Sequence, residues 1–199
     1  MKNSSNILAL FDFDGTITNK DSLFDFIIYS KGLLSFIIGI FLLFPFLLLY
    51  KLNLLRNDKA KEMVLRYFFK NTSQLNFTKV AEEYSLNRID KITRTKAIEK
   101  LNFHKVNGHK VVIVSASIDS WIRPWCIKNQ FDLVATKLEV KNGYLTGNLL
   151  TKNCYGPEKV IRIKEIYNLE NYKYIYAYGD SRGDNEMLEI ANSKNLNIF

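Results

Sequence analysis

Two aspartates separated by a single residue close the first apolar run of the chain, where ILALF leads directly into Asp12-Phe13-Asp14-Gly15-Thr16. In an extended segment alternate side chains point the same way, so Asp12 and Asp14 can serve one substrate. One carboxylate can act as a nucleophile while its neighbour donates and later accepts a proton. A second acidic pair, Asp180 and Asp184, stands far along the chain in Gly179-Asp180-Ser181-Arg182-Gly183-Asp184. A calcium loop is excluded at Asp12 to Gly15, because the further ligands and the terminal Glu are absent and an apolar strand precedes the acids. Ser115, ending the run VVIVS, and Lys159, in Gly156-Pro157-Glu158-Lys159, add a hydroxyl and an amine.

The elements that position these groups follow from hydrophobic pattern. Ile7 to Phe13, Val111 to Val114 and Tyr174 to Tyr178 read as buried strands, each ending in polar or acidic residues. Helical stretches, notably Pro157 to Tyr167 and Asp184 to Ala191, lie between and after them. That order predicts an α/β fold, a Rossmann-like doubly wound parallel sheet. In such sheets ligands bind beyond the carboxyl ends of the strands, so the polar strand ends converge on one site. The stretch 20–103 favours helix and holds no convincing strand. It is expected to form a helical cap inserted into a core made of 1–19 and 104–199. Asn142-Gly143 within LEVKNGYLTGNLL signals a β-hairpin, expected as an embellishment at the sheet edge.

The DxDGT run, with Ser115, Lys159 and the GDSRGD run following in order, resembles the haloacid dehalogenase-like hydrolase superfamily, from Ile7 to Leu188. The resemblance implies a phosphatase that forms an aspartyl-phosphate on Asp12, with Asp14 as general acid and base. Family members with dehalogenase or ion-pump activity lack the second acid, so Asp14 favours phosphoryl chemistry. Ser115 and Lys159 would hold the phosphoryl oxygens, with Arg162 as a weaker candidate. Mg2+ would be bound by Asp12, by the backbone carbonyl of Phe13 and by Asp180, with Asp184 acting through a bound water or by holding the loop. Physical chemistry supports the metal independently. A phosphate monoester is dianionic and repels a carboxylate nucleophile unless a cation neutralises the approach.

Composition narrows the setting. The chain has 199 residues, 47% of them hydrophobic, and two cysteines, Cys126 and Cys154. These two are too few and too far apart for a disulfide framework or zinc site, and they fit a reduced, intracellular setting. No secretory signal is expected, because the apolar run Ile7 to Phe11 passes straight into Asp12. His104 and His109 read as surface residues, and Trp121 and Trp125 as the apolar face of a helix.

The net charge of +8 is concentrated between Lys51 and Lys110, where 14 Lys and Arg face six Asp and Glu. No nucleic-acid-binding motif accompanies this basic segment. Just before it, Gly32 to Tyr50 is uncharged over 19 residues, long enough to cross a bilayer. Yet Asp12 precedes the segment and Ser115, Lys159 and Asp180 follow it, so a single crossing would divide the site. The segment is expected to enter and return, or to lie in the interface with a bend at Pro45, beside anionic headgroups. Burial within a soluble cap is the alternative. With this cap the chain resembles the branch of the phosphoserine phosphatase-like subfamily that includes phosphatidylglycerophosphatase C. The resemblance implies a lipid phosphate substrate and a place at the inner face of the cell membrane. Against it stand a soluble phosphatase for phosphoserine or another small metabolite, and an inactive membrane-binding module. The presence of all six core groups opposes the latter.

Overall fold

A computed structural model describes residues 6–199. The chain opens with strand β1 (Ile7–Phe11), then runs through helices α1 (Ser22–Lys31), α2 (Leu33–Lys51), α3 (Asn57–Phe69), α4 (Gln74–Asn87) and α5 (Thr95–Val106). It returns as β2 (Lys110–Ile118), α6 (Asp119–Asn129) and β3 (Asp132–Thr136), followed by β4 (Leu138–Lys141) and β5 (Tyr144–Leu149). The last elements are α7 (Pro157–Ile166), β6 (Tyr174–Gly179), α8 (Asn185–Glu189) and β7 (Ser193–Leu196).

Five strands form a parallel sheet in the order β3-β2-β1-β6-β7. The chain winds outward from β1 in one direction and then in the other, so the switch in strand order lies at β1 and β6. Alternation along β1 separates the two faces. Ala9 and Phe11 pack with α6 and the inserted helices, whereas Leu8 and Leu10 pack with Ile163 of α7 and with Met187 and Leu188 of α8. All four β1 residues are wholly buried. The α/β doubly wound expectation is met, with two edge strands beyond the three expected ones.

Three sequence expectations are corrected. The hairpin forms, with Asn142 and Gly143 both at positive φ (52° and 78°), but as a separate two-stranded sheet. It leans on the inserted helices: Leu145 exchanges backbone hydrogen bonds with Asn71 and Thr72, and Gly147 passes so close to Arg66 that a Cβ would lie 2.5 Å from its Cα. The hairpin was assigned to the sheet edge because alternation reveals a strand and not its partner. The second correction concerns α2, which is one uninterrupted helix through Pro45, with only Gly39 and Leu43 buried. At about 1.5 Å per residue it is a rod of about 28 Å. Neither a returning loop nor a buried cap core describes it.

The third correction concerns His104, which is fully buried on α5. Its Nε2 lies 2.9 Å from the Tyr178 hydroxyl and its Nδ1 lies 2.7 Å from Nδ1 of His109. Burial, followed by the neighbouring His109 and Lys100, pushes the His104 imidazole down to about 4. The folded chain therefore holds His104 neutral while the unfolded chain protonates it near 6.5. The stabilisation is complete above about pH 6.5 and is lost as pH falls toward 4, at up to about 1.4 kcal/mol per pH unit for this one proton. Urea unfolding of the parent and of His104→Gln across that range should show a shallower pH slope in the variant. Equal slopes would mean that His104 is not kept neutral.

Candidate active site

The carboxyl ends of β1, β2 and β6 stand level, because Phe11 is in register with both Ile113 and Tyr178. Asp12 and Asp14 follow β1, Ser115 lies on β2 two residues beyond Ile113, and Asp180 follows β6. The Asp12 N–H donates to the Tyr178 carbonyl at 2.9 Å, which continues the sheet by one residue and fixes the side chain over its edge. Gly156 takes φ 59° and Pro157 starts α7, which sets Lys159 in the first turn. Lys159 is buried, and its Nζ donates to Asp12 Oδ1 at 2.6 Å, to Asp184 Oδ1 at 2.6 Å and to the Val114 carbonyl at 2.8 Å. Lys152 and Lys164, the other lysines nearby in sequence, are exposed, and Arg162 donates to the Ala135 carbonyl instead.

Charge at the site is unbalanced. One ligand atom from each of Asp12, Asp180 and Asp184 lies within 4.8 Å of the other two, and one buried lysine serves the group. Burial pushes the Asp12 carboxyl up to about 8, against the pull of Lys159. Burial works against the Lys159 ammonium, but the charges of Asp12 and Asp184 outweigh it and raise its pKa. Asp180 is also raised, mainly by burial and against a hydrogen bond from Thr16. A cluster short of positive charge, built of hard oxygen donors, fits Mg2+. Gly15, at φ 85°, keeps the space open: a Cβ there would lie 2.3 Å from Asp180 Oδ2.

Asp184 holds the loop. Its Oδ2 accepts from the N–H groups of Asp180 and Ser181 and from the Ser181 hydroxyl, while its Oδ1 takes Lys159. Phe13 is a correction. Its carbonyl accepts from the Ile17 and Thr18 N–H groups at 2.8 and 3.0 Å and from the Thr18 hydroxyl at 3.3 Å. Both lone pairs are engaged in the turn after the first acids, so this oxygen is not free to bind a metal.

Asp14 has a separate set of partners. The Ser22 N–H donates to its Oδ1 at 2.7 Å and the Ser117 hydroxyl donates to its Oδ2. Burial, then the charge of Asp21, pushes it up to about 6, and the two serine bonds pull the other way. A carboxyl that titrates near neutrality suits proton transfer in both directions. Ser115 Oγ accepts from the Ser117 N–H at 2.9 Å, which leaves its own O–H proton to donate elsewhere. Ser117 and Ser22 thus enter the site through Asp14. Ser117 lies two residues beyond Ser115 on β2, and nothing in the sequence marked Ser22.

Asp180 lines a recess with Gly15 and Thr16, while Asp12, Asp14, Ser117, Lys159 and Asp184 border a neighbouring cavity of about 250 Å³ on the core side. Leu23, Phe24, Leu47, Tyr50, Lys61 and Val64 line it from the inserted helices. The profile of the haloacid dehalogenase-like hydrolase family matches residues 9–189. The chain belongs to this hydrolase family. Protein CicA of Caulobacter vibrioides is 33% identical over 195 residues, covering 97% of this chain and 86% of that protein. Among solved structures, a protein of unknown function from Bordetella pertussis Tohama I superposes with a TM-score of 0.81 at 21% identity, covering 96% of this chain and 89% of that one. A phospho-aspartyl intermediate analogue of phosphoserine phosphatase superposes at 0.58 with 26% identity, covering 92% and 82%. Family, neighbours and geometry agree on a phosphatase.

Proposed function

We propose that this chain is a Mg2+-dependent phosphomonoesterase that works through an aspartyl-phosphate and takes a lipid phosphate at an anionic membrane surface. Asp12 attacks phosphorus and the bond to the leaving oxygen breaks as Asp14 supplies its proton. Asp14 then takes a proton from water, whose oxygen attacks phosphorus, releasing phosphate and restoring Asp12. Ser115 and Lys159 hold the phosphoryl oxygens. Asp12 and Asp180 would hold the metal, with Asp184 fixing the loop that carries Asp180. Mg2+, when bound, supplies the positive charge that lets a carboxylate approach a dianionic ester. The helices inserted after β1 act as the cap.

The lipid assignment rests on one observation: the exposed apolar helix α2 is continuous with the catalytic cavity, since its Leu47 and Tyr50 form part of the cavity wall. Acyl chains can stay with α2 while the headgroup reaches Asp12. The phosphoserine phosphatase neighbour raises a small soluble substrate as a second reading; the cavity wall also carries Asp21, Asn57 and Lys61, but Leu23, Phe24, Leu47 and Val64 give it the apolar area that acyl chains would use. Turnover of phosphatidylglycerophosphate in mixed micelles should exceed that of phosphoserine by at least about 100-fold in kcat/KM, the effect of roughly 3 kcal/mol of apolar contact. Equal turnover, with no gain from micelles, would remove the lipid assignment and leave the phosphatase chemistry intact.

A further inference from the structure

The cavity contains a second cation that the chemistry above does not use. Lys61, on α3, is half-buried and borders the cavity, with its Nζ donating to the Ala116 carbonyl at 2.8 Å and to Asn153 Oδ1 at 3.0 Å. Both acceptors are neutral, and among the described residues Lys61 forms no ion pair. A desolvated ammonium without a carboxylate is costly, and burial lowers its pKa against the pull of Asp21 and Asp14. Two of its three protons are engaged, which leaves one free.

The position of this ammonium is fixed by a network. Asn153 Oδ1 also accepts from the Thr136 hydroxyl at 3.2 Å, and Asn153 Nδ2 donates to Asn57 Oδ1 at 2.5 Å. Ala116 lies between Ser115 and Ser117, and Ser117 is the residue whose hydroxyl engages Asp14. Lys61 and Asp14 thus line the same cavity, with Lys61 tied to the residue that precedes Ser117.

We infer that Lys61 reads a second anionic group carried by the leaving alcohol, a phosphodiester a few atoms from the phosphate that is removed. The inference rests on the Asp12 and Asp14 roles but not on the lipid assignment. A neutral leaving group, as in phosphatidate or glycerol 3-phosphate, leaves the ammonium uncompensated. A diester-bearing one, as in phosphatidylglycerophosphate or its deacylated form, pairs with it.

The test compares ratios, so that a general loss of activity cancels. For the parent, Lys61→Met and Lys61→Arg, kcat/KM is measured on a lipid pair, phosphatidylglycerophosphate against phosphatidate. The same is done on a soluble pair, glycerophosphoglycerol phosphate against glycerol 3-phosphate. In Lys61→Met the ratio within each pair should fall by about tenfold or more, the weight of one charge-assisted hydrogen bond, mainly through KM. Lys61→Arg should restore most of it. An unchanged ratio, including equal losses on both members, would reduce Lys61 to a structural tie between α3 and the core and overturn the inference.

Product inhibition of the unmodified protein gives a measurement independent of variant folding. Glycerophosphoglycerol should inhibit at concentrations at least about tenfold below those of glycerol, and equal inhibition would also overturn it. Should the ratio hold in the soluble pair while micelles bring no gain, the lipid assignment fails and Lys61 keeps its role.

Discussion

Asp12→Asn should lower phosphatase turnover by at least about 10³-fold while leaving the protein as stable as before, or more so. The rate falls because an amide nitrogen or neutral carbonyl cannot displace an alkoxide from phosphorus, and the neighbouring carboxylates are engaged elsewhere. Asp14 is held by Ser22 and Ser117, and Asp184 is fixed by the loop and Lys159. The stability expectation follows from the sign of the pKa. Burial raises Asp12 to about 8, so its ionised form is disfavoured in the folded chain relative to the unfolded one, and an amide removes that cost. Lys159 is not orphaned by the change, because Asp184 still accepts from it at 2.6 Å. Single-turnover kinetics and thermal unfolding of the same preparation check both halves. Retained turnover would dismiss Asp12 as nucleophile. Lost turnover with a large drop in melting temperature would mean that the residue is structural.

The core strands were legible because each concentrates apolar residues and then stops abruptly at a polar group with chemical use. β1 and β6 have this form, and so does the VVIVS part of β2. β3 and β7 lack it. DLVAT opens on an acid and SKNL is polar, since an edge strand pairs on one side only and can face water. Asp12, Asp14, Lys159, Asp180 and Asp184 were legible as types in order, and the fold brings all five together. The carbonyl assigned to Phe13 was not legible, because carbonyl direction depends on the turn closed by Ile17 and Thr18. Ser22 and Lys61 come from the inserted helices, where spacing carries no information about the cavity they reach. His104 read as a surface residue, and only the packing of α5 over Tyr178 reveals it as core.

The proposed membrane contact predicts that charging the outer face of α2 weakens binding to anionic vesicles without disabling the catalytic centre. Leu34 and Phe41 are 72% and 79% exposed, a degree of apolar exposure that water does not favour along a whole helix. The inner side is fixed to the body: Gly39 lies against Phe68 and Tyr67 of α3, where a Cβ would come within 2.2 Å of the Phe68 ring, and Leu43 is buried. A helix held in this way cannot leave to span a bilayer, but it can lie in the interface with its open side among acyl chains. In that placement Lys31 and Lys51, near its ends, would be available to anionic headgroups. Each large side chain withdrawn from the lipid forfeits roughly 1.5–3 kcal/mol, so Leu34→Asp with Phe41→Asp should weaken partition into anionic vesicles by at least about 100-fold. Flotation with phosphatidylglycerol-containing vesicles measures this, and turnover of p-nitrophenyl phosphate reports the integrity of the site. Unchanged flotation would exclude α2 as the membrane contact. A shift from dimer to monomer without any change in flotation would assign the same face to a second copy of the chain. The two surfaces are chemically distinguishable, because headgroup attraction weakens as salt rises whereas an apolar helix pair tightens or holds.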